Sequence, residues 1–253
     1  MTGPEAGAAP GAGAAPGAAS AAAELPTTAA AVRSIAALTW RRLLRGRTLW
    51  VAAFIAVVPV AFGAVLRTQD MRRGLSDDLL TFQLLVLAVL PPMFLSSSIG
   101  EEIEDRTITY LWSRPIARWA VVVGKLLALA PIAIGLVVVS WHLGCTLGLE
   151  AAPPPRTHAA LAAGGVAVSA IATGIAVLMP RHGMAMTIGY MLFDFWIGLM
   201  PASIQNFSVS YHVHSISFPV PEGADVLTSA IWLAVVAAGW LGLGLWRIRR
   251  LEA

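Results

Sequence analysis

The sequence predicts an all-α membrane protein: six transmembrane helices preceded by an interfacial amphipathic helix, with both termini cytoplasmic. Three observations lead there. Of 253 residues, 57% are hydrophobic and 12% charged, about half the charge of an ordinary soluble domain. The mean hydropathy is +0.74, and a water-soluble globule of this size could not hide so much apolar surface. The apolar residues also gather into runs of roughly 20, each long enough to cross about 30 Å of hydrocarbon as a helix. A simple soluble enzyme is excluded. The net charge of +3 and pI near 9.6 do not point to nucleic acid, because the charges sit in short loops between apolar runs; the partner they imply is the bilayer.

Residues 1–31 are almost entirely Ala, Gly and Pro. Without large side chains to offset its ordering entropy, this stretch is expected to be a disordered tail. It has neither the basic start nor the leucine-rich core of a signal peptide. Residues 32–47 can form a helix with Ala36, Trp40, Leu43 and Leu44 on one side and Arg41, Arg42 and Arg45 on the other, Leu38 falling among the arginines. Such a helix suits the membrane interface.

The six spans are expected at about 49–66, 79–99, 120–149, 159–179, 184–204 and 227–246. The third is longer than a crossing requires and must tilt or project. Pro59, Pro91, Pro92 and Pro131 fall inside spans, where proline bends a helix more often than it ends one. With the N-terminus inside, one side receives thirteen of the 17 Lys and Arg and the other only Arg67, Arg72, Arg73 and Arg156. That bias puts both ends in the cytoplasm. Residues 32–253 then form one membrane domain, with outward loops at about 67–78, 150–158 and 205–226. The single cysteine, Cys145, excludes an intrachain disulfide.

The first cytoplasmic loop carries the most information. Residues 100–125 read GEEIEDRTITYLWSRPIARWAVVVGK. Glu101, Glu102, Glu104 and Asp105 are followed by Arg106, Arg114 and Arg118. Ile108, Leu111 and Trp112 fall at i, i+3 and i+4, the pattern of a short amphipathic helix, and Pro115 should end it. Trp119 and Lys125 then anchor the third span at the interface. The result is a charged lever on the cytoplasmic face, continuous with two membrane helices.

This loop resembles the signature region of type-2 ABC transporter permeases, the membrane subunits of ATP-driven exporters. The family pattern of acidic residues, Thr, apolar residues, Pro, Arg and a Lys opening the next span is met by Glu102, Glu104, Thr107, Leu111, Pro115, Arg118 and Lys125. Arg106 stands where many relatives have Gly, which implies a continuous helix there. The resemblance extends over most of residues 32–250 and implies a coupling helix at about 100–118, docking on an ATPase through Glu101, Glu102, Glu104, Asp105, Arg106, Thr107, Leu111, Arg114, Pro115 and Arg118. It implies a separate ABC ATPase subunit that binds ATP and Mg, and a permease homodimer or a paired second permease. The chain is not expected to be an enzyme. Its only Gly-Lys pair, Gly124-Lys125, lacks the upstream Gly and following Ser or Thr of a phosphate-binding loop. The Arg-over-Lys, Ala-rich composition suggests a GC-rich bacterial genome, and the expected location is the bacterial inner membrane. Two other classes stay open: a membrane anchor or mechanical transducer that recruits an ATPase without transport, and an intramembrane enzyme.

Among the remaining candidates, Asp194 sits at the centre of the fifth span in MLFDFWIG. A carboxylate there is costly unless protonated, paired or facing water. It is a residue of the substrate path, a proton site, or a neutral acid hydrogen-bonded to a neighbouring helix. His142 and Cys145 share a face of the third span, and His158 stands alone in an outer loop. His212 and His214 would share a face if 205–225, which has alternating character, were extended. Neither set supplies the ligands of a metal site, so none is expected. Ser96, Ser97 and Ser98 end the second span without an activating His or Asp, and suit helix contacts or the inner mouth.

Overall fold

A computed structural model describes residues 28–68, 75–104, 117–148, 150, 152–200, 203–219 and 225–250. Among these residues all regular structure is helical. Eight α-helices follow in order: α1 (Thr28–Arg45), α2 (Arg47–Thr68), α3 (Leu75–Glu104), α4 (Arg118–Gly148), α5 (Pro155–Leu178), α6 (Gly183–Gly198), α7 (Val209–Ser217) and α8 (Val226–Arg250). Short 3-10 turns at Pro180–His182 and Ser203–Phe207 flank α6. The prolines at 59, 91, 92 and 131 lie inside α2, α3 and α4, which run on through them.

Five helices, α2, α3, α4, α5 and α8, are long and apolar enough to cross a membrane. The fifth predicted span does not make a sixth of that length. It is α6, with only 16 residues, about 24 Å at 1.5 Å per residue. Gly198 ends it, and the chain turns through Ser203–Phe207 into the nine-residue α7. The expected outer loop at 205–226 therefore contains a helix packed against α5 and α8. The third span is as long as expected: α4 has 31 residues.

Helix α5 is the centre of the fold. Its sequence, PRTHAALAAGGVAVSAIATGIAVL, is dominated by small residues, and α3, α4, α6, α7 and α8 all pack on it. Small side chains let helix backbones approach closely where no hydrophobic effect drives association. A Cβ on Gly174 would stand 2.6 Å from the Trp240 carbonyl oxygen of α8. On the other side of the bundle, a Cβ on Gly148 of α4 would stand 2.7 Å from the Gly63 Cα of α2. At both contacts one backbone lies directly on another. Helices α2 and α8 instead turn most of their surface outward, and that surface carries Trp50, Phe54, Val57, Leu227, Ile231 and Trp246. An outward face of this composition is solvated by lipid.

Two sequence expectations about α1 change. It begins at Thr28, inside the stretch read as tail, and Ala31 is already buried. The expected apolar side also divides. Leu43 is buried and Ala36 packs on the core, while Trp40 and Leu44 are exposed with Leu38. The covered face follows spacing four, with Ile35 lying against Gly124 of α4, because α1 packs along α4.

Contacts at the helix ends sort the bundle into two ends. A Cβ on Gly100 of α3 would stand 2.5 Å from the Pro180 carbonyl oxygen, so the end of α3, the start of α4 and the α5–α6 turn lie together. The start of α3 lies at the opposite end, where Asp77 meets His214 of α7.

Candidate functional site

The descending end of α3 and the first turns of α4 flank the loop singled out by sequence. Residues 105–116 lie outside the described residues, and with them Asp105, Arg106, Thr107, Leu111, Arg114, Pro115 and the short amphipathic helix. The flanks are described. Glu101 and Glu102 sit in the last turn of α3, Glu104 is its final residue, Arg118 opens α4, and Trp119 packs half-buried against the core.

Lys125 departs from its expected place at the interface. Its side chain is 4% exposed, and its ammonium forms an ion pair with Glu102 at 2.7 Å while donating a hydrogen bond to the Ser98 carbonyl oxygen. Two turns into α4, the ammonium is covered by the packed helices and finds its partners on α3. A buried charge persists only when paired and hydrogen-bonded. The pair therefore ties the end of α3 to the start of α4, the two helices the loop connects.

Beside this tie, a cleft of about 140 Å³ opens between α1, α2, α3 and α4. Thr39, Thr48, Ser97 and Ser98 line it together with Arg42 and Glu101, over Phe94 and Leu129. Ser97 and Ser98 thus line this cleft. Ser96 is buried and makes helix contacts, donating to the Ala172 carbonyl of α5 at 3.3 Å and lying 3.4 Å from the Thr187 hydroxyl of α6.

Asp194 is 1% exposed, and its carboxylate is directed at the start of α7. Oδ1 accepts from the Val209 N–H at 2.8 Å; Oδ2 accepts from the Ser210 N–H at 2.9 Å and the Ser210 hydroxyl at 2.7 Å. The Ser208 hydroxyl adds a bond to Oδ2 at 3.2 Å. The first N–H groups of any helix lack intrahelical partners and carry partial positive charge. Asp194 satisfies two of them from a different helix. It lies four residues before the end of α6 and not at the centre of a span, and an acid there is explained by a helix terminus rather than by a cation.

The histidines are arranged differently from the sequence expectation. His212 and His214 lie on α7, where two residues are separated by about 200° and face apart. His212 is buried with Nε2 2.9 Å from the Asn206 carbonyl oxygen, and burial holds its imidazole below the ordinary pKa range. His214 lies 2.6 Å from Asp77. His158 is not in a loop but in the first turn of α5, and its Nε2 is 3.3 Å from Nδ1 of His142. Cys145 is buried. Among the described residues, no three His, Cys, Asp or Glu side chains converge as metal ligands.

Sequence reasoning missed the buried Gln83. Its amide donates to the Val137 carbonyl at 2.8 Å, and the single Ser140 hydroxyl proton is directed at the Ala56 carbonyl at 2.5 Å, with the Gln83 oxygen at 3.5 Å. This cluster joins α2, α3 and α4. A lone Gln inside an apolar run was its only signal. At the far side an apolar hollow of about 300 Å³ lies between α5, α6 and α8, lined by Ile175, Met186, Tyr190 and Trp240.

A family model described as "ABC-2 family transporter protein" matches residues 40–180. The match runs from α1 to the turn before α6 and contains the Glu102–Lys125 tie. No curated protein matches the chain.

Proposed function

The chain belongs to the ABC-2 family of transporter proteins, and from that premise we propose that it couples a separate ABC ATPase, through the 100–118 segment, to movement of a substrate across the bacterial inner membrane. The family is the membrane component of ABC transporters, without a nucleotide site of its own. The partner ATPase holds ATP and Mg.

The observation that carries the coupling role is the ion pair of the buried Lys125 with the partly exposed Glu102. A partner pressing the segment between α3 and α4 meets two helices tied together just behind it, so displacement passes into both instead of being absorbed by their separation. Tight packing favours this, because close-packed helices move as bodies and not by continuous deformation. In this reading both termini lie in the cytoplasm, α1 lies in the interface, and two copies of the chain enclose the path of an exported substrate. Asp194 serves the architecture of that path rather than touching its cargo.

Mild-detergent purification of the tagged protein from its own cells tests the reading. An ABC ATPase identified by mass spectrometry is expected to co-purify, and to be lost when residues 101–118 are scrambled in a protein that keeps its helical content. Stable protein repeatedly recovered without an ATPase would overturn it. Recovery of an ATPase without any transport in reconstituted vesicles would favour the mechanical transducer.

A further inference from the structure

We propose that His142 and His158 form a binding site for a borderline divalent transition cation such as zinc, at the end of the bundle opposite the Glu102–Lys125 tie. Nδ1 of His142 and Nε2 of His158 are 3.3 Å apart. Two imidazole nitrogens bound to one tetrahedral zinc, each at about 2.0–2.1 Å, stand about 3.3–3.4 Å from each other. The pair already occupies one edge of that tetrahedron. The rings are inclined at 40° with centroids 5.4 Å apart, so they are not stacked face to face, and a cation would replace the proton the two nitrogens share.

The residues just before each histidine hold this geometry. Trp141 donates its indole N–H to the Thr157 hydroxyl at 3.2 Å, and that hydroxyl donates to the Pro154 carbonyl at 2.7 Å. Trp141 and Thr157 are both fully buried. One step along each helix, this bond sets the register of α4 against α5, and so sets the His142–His158 separation before any ligand arrives. A site supported in this way loses little side-chain entropy on binding. His142 is exposed and His158 half-exposed, within two turns of the adjoining ends of α4 and α5, and the site requires water at this end of the bundle to reach the pair and complete the coordination. Bound there, the cation clamps the end of α4 to the start of α5. The inference rests on this geometry and is independent of the permease reading.

The test is calorimetric titration of zinc into the full-length protein in lipid nanodiscs at neutral pH. One zinc per chain is expected, with affinity reduced by about tenfold or more in His142→Ala or His158→Ala and site binding absent in the double variant. His214→Ala should bind like the parent. Copper(II) in the same site should show two nitrogen couplings by electron paramagnetic resonance, lost in the double variant at unchanged melting temperature. No zinc uptake, or equal uptake by parent and double variant, would overturn the proposal and leave the pair as an imidazole–imidazole hydrogen bond.

Discussion

Asp194 and Lys125 illustrate how the molecule treats charge out of reach of water. Each is almost wholly buried and each is satisfied by a neighbouring helix, Lys125 by a counter-charge and Asp194 by helix-terminal donors. The two solutions have different consequences. An Asn at 194 keeps one acceptor oxygen but turns an NH₂ group toward donors, so at least one N–H of α7 loses its partner. Asp194→Asn is therefore expected to cost about 1–2 kcal/mol, with chymotrypsin cleaving the segment from Leu199 to Phe218 faster than in the parent. A variant that melts and resists protease like the parent would remove the capping role. The same logic explains Gln83, a neutral amide of α3 whose donor and acceptor groups both find partners on α4, at Val137 and Ser140.

Helices are joined here mainly by small residues rather than by interdigitated large ones. The α2–α4 and α5–α8 contacts are so close that glycine is required by the approach of backbone to backbone, not by an unusual φ. Gly148→Ala places a methyl group 2.7 Å from backbone atoms of Gly63, and backbone cannot rotate away as a side chain can. Overpacking of this kind costs about 1–3 kcal/mol. The melting temperature of Gly148→Ala in detergent should fall by several degrees, whereas Gly239→Ala, with nothing within 4 Å of the new methyl, should melt at or slightly above the parent. Equal effects at the two positions would contradict the packing described. At this scale α7 is the element with the most varied support: Asp194 caps it, Val213 presses against Gly164, and His214 meets Asp77.

For the whole molecule, the alternation of helix directions and the one-sided distribution of basic residues give the same pairing of ends. Arg41, Arg42, Arg118 and Lys125 belong to elements at one end with the Pro180 turn, while Asp77, Gly148 and the His142–His158 pair mark the other. Thiol labelling of intact cells can read the direction. In a Cys145→Ala background, a cysteine at the exposed Glu150 should react with a membrane-impermeant maleimide, whereas one at the exposed Ser34 should react only after the cells are opened. The reverse pattern would invert the topology and place the 100–118 segment outside, away from any ATPase.

Composition alone determined that this chain lives in a bilayer, because 57% hydrophobic residues in span-length runs have no other stable environment. The helical class, most span boundaries and the family followed from patterns a few residues to a few turns long. Tertiary structure decided what depends on residues distant in the chain. Gly198 and the turn after it shorten the fifth predicted span, and the start of α7 supplies the donors for Asp194, fourteen to sixteen positions away. Lys125 reads as an interface anchor until Glu102, on another helix, is seen beside it. His158 looks solitary because the sequence does not show that the Trp141–Thr157 bond brings α4 and α5 into register. Helix periodicity is local and is written in the chain; the partner of a buried polar group is chosen by which helices pack together.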